Sequence, residues 1–229
     1  MAQVDLIKLL ANIEDYVLIK KSAEFPNYSL GSDVDLLVMD KDTALQRVVH
    51  FYESHFSTNG QLRVTDQEYH CHIDFLLHGK LNVRIDLLYD FGFFTMFSVK
   101  RGFFIKIFRD RRLVKIGNSS VYIPAPEDEL TIRYFEYLEY FDRYPNKLKH
   151  LEYICDVKDQ LLRKRFFENT HRFVVFSRQQ WKQPYHISQK PKSIRAALAN
   201  INLNSKCIIA LSVRHLSSKV VTIYRNMWR

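Results

Sequence analysis

Two aspartates separated by one apolar residue, Asp33-Val34-Asp35, open an apolar run that reaches Met39. In a strand the side-chain period is two, so both carboxylates point to one face. Unpaired, they repel and raise each other's pKa. A divalent cation relieves that cost, and oxygen donors of this kind suit Mg²⁺, with Mn²⁺ as the alternative. A third carboxylate from a neighbouring strand would complete a two-metal arrangement for in-line phosphoryl displacement. Asp-x-Asp alone is a weak signal, so the elements around it must be read next.

The apolar run over 34–39 suits a buried central strand. Before it, Leu6, Leu9, Leu10 and Ile13 sit at helical spacing, and residues 17–20 read as a short strand. Phe25-Pro26-Asn27-Tyr28-Ser29 is a loop by its composition. A helix is expected over 43–55 with Asp42 as its N-cap. Residues 69–89 read as a hairpin: Ile73, Phe75 and Leu77 alternate on one arm, and Leu81, Val83, Ile85 and Leu87 on the other. A three-residue loop, His78-Gly79-Lys80, places both apolar sets on one face. Asp74 then lies across from Arg84 and Asp86 across from His72, with both aspartates on the opposite face. His70 and His72 flank Cys71, but no zinc-type spacing accompanies them, and they read as ordinary strand histidines.

Residues 91–108 are dense in Phe and carry Lys100, Arg101 and Lys106. Such interleaving can stack nucleic-acid bases, although Phe is more often core. Pro124-Ala125-Pro126-Glu127-Asp128-Glu129 marks a boundary, because proline and carboxylates favour a helix N-terminus. Helices are expected from 130, over 147–165, 193–200 and 205–224. The chain thus divides into β/α material over 1–123 and helical material over 124–229.

The 229 residues, 47% hydrophobic and 26% charged, are ordinary for a globular protein. Three widely spaced cysteines without a Cys-x-x-Cys pair argue against a disulfide framework and fit a reducing compartment. No apolar run approaches the roughly 20 residues needed to cross a bilayer, and no secretory signal is seen. The expected address is the cytoplasm. The net charge of +9 is uneven: residues 161–229 hold 14 basic residues and one acidic residue, Glu168. That segment would draw nucleic acid or an anionic surface, unless it is only a solvated face. Ser/His/Asp elbows, GxGxxG and GxxxxGK[ST] are all missing.

Tyr16-Val17-Leu18-Ile19-Lys20-Lys21-Ser22, a ten-residue spacer over 23–32, and Asp33-Val34-Asp35-Leu36 together resemble the DNA polymerase beta-type nucleotidyltransferase superfamily, in its small bacterial members. Ser22 falls on that family's Gly-Ser serine, and Lys21 stands where the family has glycine. Pro124 to Leu130 is similar to the family's Pro-x-x-Glu-Asp-Glu-Leu, and Lys147 to Ile154 to its Lys-x-x-His-Leu-x-x-Ile. The likeness covers residues 16–160.

The resemblance implies an α/β (α+β) fold, a mixed sheet with flanking helices followed by a C-terminal helical domain. It implies Mg²⁺ held by Asp33, Asp35 and a third aspartate. Asp86 is favoured over Asp74, because Asp74 has Arg84 as a structural partner. It places Ser22 and Lys21 at the phosphates of an NTP substrate, with Ser32 as a further candidate. Lys147, Lys149 and His150 would close over nucleotide or acceptor. The acceptor is first a sugar, phosphosugar or other small metabolite, then an RNA 3′ end or protein side chain. A non-catalytic nucleic-acid binder is the remaining class.

Overall fold

The computed structural model describes residues 3–56, 60–94, 97–140, 144 and 147–176. The helices expected over 193–200 and 205–224, and most of the basic segment, lie outside the described residues. The chain divides into two compact units, Met1–Phe93 with Arg101–Ala125, and Phe94–Lys100 with Pro126–Arg229.

In the first unit the alternating residues build a five-stranded mixed sheet. Its order is β1 (Tyr16–Leu18), β2 (Ser32–Val38), β5 (Lys80–Leu88), β4 (His70–Leu77) and β3 (Gly60–Asp66). Only the β2–β5 pair is parallel. Val34, Leu36, Ile73, Phe75, Val83 and Ile85 form one apolar face. They share a core with Leu6, Leu9 and Leu10 of α1 (Leu6–Asn12) and Val48 and Phe51 of α2 (Lys41–His55). Leu36, Ile73, Phe75 and Ile85 are fully buried, and each such burial stabilises the unit by roughly 1.5–3 kcal/mol. Alternation therefore leaves Asp33, Asp35, His72, Asp74, Arg84 and Asp86 on the other face.

Helix α2 begins earlier than expected. Its N-cap is Asp40, whose carboxylate accepts from the backbone N–H groups of Asp42 and Thr43 and from the Thr43 hydroxyl. Asp42 lies instead in the first turn, where its charge meets the positive end of the helix dipole. The β4–β5 register matches the sequence expectation, with Asp74 opposite Arg84 and His72 opposite Asp86. The loop does not match. It has two residues, His78 and Gly79, both in the left-handed region at φ of 50° and 73°. A register shift after Phe75 absorbs the difference, leaving Asn82 as the extra residue on β5. Strand β3 was not anticipated from the sequence.

Helix α3 (Arg101–Asp110) buries Phe103, Phe104 and Ile107 and packs against β1. It is followed by the hairpin of β7 (Arg112–Ile116) and β8 (Ser119–Ile123). Phe91, Phe103 and Phe104 are core residues, as Phe usually is.

In the second unit β6 (Phe97–Val99) pairs with β9 (Val174–Phe176). Helix α4 (Pro126–Tyr140) packs against α5 (Leu148–Asp156) and α6 (Gln160–Phe173). The single helix expected over 147–165 is two helices. Asp159 caps the second by accepting from the N–H groups of Leu161 and Leu162. Among the described residues no helix is long and apolar enough to cross a membrane.

Candidate active site

The parallel seam between β2 and β5 sets Asp35 beside Asp86 and Asp33 beside Arg84. In a sheet, paired residues share a face, so the register makes two polar rows. One runs Asp35, Asp86, His72, Thr65, and the other Asp33, Arg84, Asp74, Arg63. Asp33, Asp35 and Asp86 are thereby brought to one face on adjacent strands.

Asp74 is committed elsewhere. Its carboxylate is 3% exposed and accepts from Arg84 Nε at 2.6 Å and Arg63 Nε at 3.0 Å. Those hydrogen bonds, Arg84 first, hold its pKa below the ordinary carboxylate range.

The other three behave differently. Asp86 is pushed up to about 6, first by burial and then by the charges of Asp35 and Asp33, with the His72 hydrogen bond working the opposite way. Asp33 is also raised, by partial desolvation and then by Asp35. Asp35 Oδ2 lies 2.6 Å from Lys20 Nζ, and Asp86 Oδ1 lies 2.5 Å from His72 Nδ1. With Asp35 drawn to Lys20 and Asp86 to His72, no three His, Cys, Asp or Glu side chains among the described residues are gathered to hold a metal ion as they stand. The donor chemistry nevertheless suits a divalent cation. Three carboxylates share one face, and two of them are made harder to ionise by burial first and by their neighbours' charge next.

Between β1 and β2 the chain loops out and returns, bordering a partly open cavity of about 150 Å³. Its wall includes Lys20, Lys21, Ser22, Ser32, Asp33 and Asp35, so the expected phosphate-side residues meet two of the carboxylates there. Lys21 Nζ donates to the Ser22 carbonyl at 3.1 Å. Apolar Leu18, Phe25 and Val34 are also part of the wall, with Tyr28. The loop is tied down at its end, where the Gly31 N–H donates to the Asn82 carbonyl at 2.9 Å and the Tyr28 hydroxyl to Asn82 Oδ1 at 2.6 Å.

Gly31 has φ of 81°, a conformation that strains any L side chain. Gly31→Ala is therefore expected to cost about 1 kcal/mol, read as a lower urea midpoint. An unchanged midpoint would show that the turn before β2 relaxes freely.

Lys147 and His150 lie in the second unit, where Lys147 Nζ is 2.9 Å and His150 Nε2 3.2 Å from Glu136 Oε2. Lys149 is exposed there. Two partners in the first unit were not recognised from sequence. Lys20 carries no motif signal. His72 has the sequence context of an ordinary strand histidine, and its register opposite Asp86 is the signal in the sequence that points to its role.

No family model matches the chain, and no curated protein matches it. Among solved structures it is similar to an antigenic nucleotidyltransferase-like protein from Paracoccidioides brasiliensis. The identity is 12%, covering 73% of this chain and 84% of the other, with a TM-score of 0.35. It is similar to JHP933 from Helicobacter pylori at 12% identity, covering 96% and 94% of the two chains, with a TM-score of 0.33. A candidate nucleotidyltransferase from H. pylori is 14% identical over 98% of this chain and 99% of its own, also with a TM-score of 0.33. Two of these three are described as nucleotidyltransferase or nucleotidyltransferase-like.

Proposed function

We propose that the chain is a Mg²⁺-dependent nucleotidyltransferase of the cytoplasm. It moves an NMP from an NTP to a hydroxyl or phosphate acceptor, first a sugar or other small metabolite. One observation carries this reading: the register that sets Asp35 beside Asp86, with Asp33 one strand step away on the same face. Asp33, Asp35 and Asp86 would hold the cation, which when bound offsets the negative charge of the triphosphate and polarises the reacting phosphoryl group.

The remaining work falls to this chain's own side chains. Lys21, Ser22 and Ser32 line the cavity beside Asp33 and Asp35 and offer a charge and two hydroxyls to the phosphates. Asp86 would serve as general base toward the acceptor or as a ligand of a second cation. The acceptor oxygen bonds to the α-phosphorus, its proton passes to Asp86, and the bond to the β-phosphate oxygen breaks to release pyrophosphate.

Incubation with each α-labelled NTP, Mg²⁺ and a cell extract is expected to label one small acceptor, and EDTA to abolish the labelling. Labelling that survives EDTA, or none with any NTP, rejects the reading. A second reading rests on the 14 basic residues against one acidic residue over 161–229. Under it the chain modifies RNA or protein, or binds nucleic acid without catalysis. RNA binding that is steeply salt-dependent and indifferent to EDTA would favour the last of these.

A further inference from the structure

Lys20 stands just past the end of β1 with φ of 54°, in a region that non-glycine residues seldom occupy. The backbone beside it is fastened to the metal-side strand, since the Ile19 N–H donates to the Asp35 carbonyl at 3.0 Å. From this position the side chain reaches Asp35 Oδ2 at 2.6 Å, with the lysine 16% and the aspartate 20% exposed. Lys20, Asp35, Lys21 and Ser22 all line the same cavity. One ammonium thus contacts the carboxylate that a divalent cation would need, on a residue lining the cavity that a triphosphate would fill.

We infer that Lys20 is a built-in rival of the divalent cation for Asp35, keeping that carboxylate engaged until a triphosphate draws the ammonium away. The inference rests on the nucleotidyltransferase reading above and adds a residue to it. The physics is competition for two shared groups. A cation on Asp35 displaces the ammonium, and a triphosphate on the ammonium uncovers Asp35. Each ligand removes the obstacle to the other, and such coupling is reciprocal. Lys20 is a positioning and phosphate-side residue in this scheme and takes no part in bond making.

The test measures two affinities in the purified full chain, expected to move in opposite directions. Mn²⁺ binding without nucleotide is read from the electron paramagnetic resonance of the free ion. In Lys20→Met it is expected to tighten about tenfold, more than an exposed pair would give, because this pair is largely shielded from solvent. Binding of a fluorescent ATP analogue with Mg²⁺ is expected to weaken by about the same factor.

Lys20→Arg keeps the charge and should stay near wild type in both measurements, which also guards against a misfolded Met variant. Lys21→Met removes a neighbouring charge that does not touch Asp35. It should weaken the analogue yet change Mn²⁺ binding by less than about threefold, since Lys21 Nζ is engaged with the Ser22 carbonyl rather than with a carboxylate and a charge out of contact is partly screened. Unchanged or weaker Mn²⁺ binding in Lys20→Met, or undiminished analogue binding, overturns the inference and leaves the enzyme reading standing. Wild-type protein that binds neither Mn²⁺ nor the analogue overturns both.

Discussion

Asp35→Asn is expected to lower kcat/KM for NMP transfer by at least about 100-fold, the usual scale for losing an electrostatic element used in the transition state. Asp33→Asn and Asp86→Asn should do the same, because the three share one polar face and none duplicates another's place in the register. Steady-state pyrophosphate release checks the loss, and a rate within tenfold of wild type for any of the three would remove that residue from the machinery. Asp86→Asn carries a second expectation. The fold binds the Asp86 proton more tightly than an unfolded chain does, with the carboxyl at about 6 against an ordinary value near 3.8. Stability from this group therefore falls as pH rises across that window. At neutral pH the ionised form is a cost, so the amide should leave the melting temperature unchanged or raise it.

Asp74→Ala should show the opposite signature. It leaves two guanidinium groups without the carboxylate that both address, and breaking a buried pair this way commonly costs several kcal/mol. Here about 2 kcal/mol is expected, below the roughly 3–5 kcal/mol of a fully buried pair. The reason is that the Arg63 side chain is 61% and the Arg84 side chain 31% exposed and both can turn to water. The folded fraction should lose less transfer activity than any of the three variants above. The acid limb adds a check. Arg84 and Arg63 hold the Asp74 carboxyl below its ordinary value. Its stabilisation is complete above the unfolded value, roughly 3.9, and is lost as pH falls through the folded one. The wild-type urea midpoint should drop below about pH 4, and Asp74→Ala should flatten that drop. A midpoint for Asp74→Ala equal to wild type at neutral pH would show the arginine network to be ornamental.

The parts of this site that were legible in the sequence are those governed by period-two alternation. The strand through Asp33 and Asp35 and the hairpin carrying Asp74, Arg84 and Asp86 both declare their faces through regularly spaced Val, Ile, Leu and Phe. Strand β3 did not, because its alternation rests on only two apolar residues, Leu62 and Val64, and most of the strand is exposed at the sheet edge. The break between α5 and α6 was hidden for another reason. Val157-Lys158-Asp159 contains neither glycine nor proline, and the stop is enforced by the Asp159 cap. The N-cap of α2 was misplaced by two residues because Asp40 and Asp42 are chemically equivalent choices. Only backbone geometry shows which of them reaches the free N–H groups. Lys20 lay beyond sequence reasoning altogether, since its pairing with Asp35 depends on a backbone angle that no motif encodes.

Every other seam of the five-stranded sheet joins strands that follow one another along the chain; β2 and β5 alone are brought together across an intervening helix and two further strands. Closing so distant a contact is entropically slow compared with zipping a hairpin. The acidic cluster would then be assembled late, once most apolar surface is already covered. During its growth a nascent chain would not present three crowded carboxylates to stray cations, and the capacity to bind Mn²⁺ would report, on a stopped-flow timescale, that the last seam had closed.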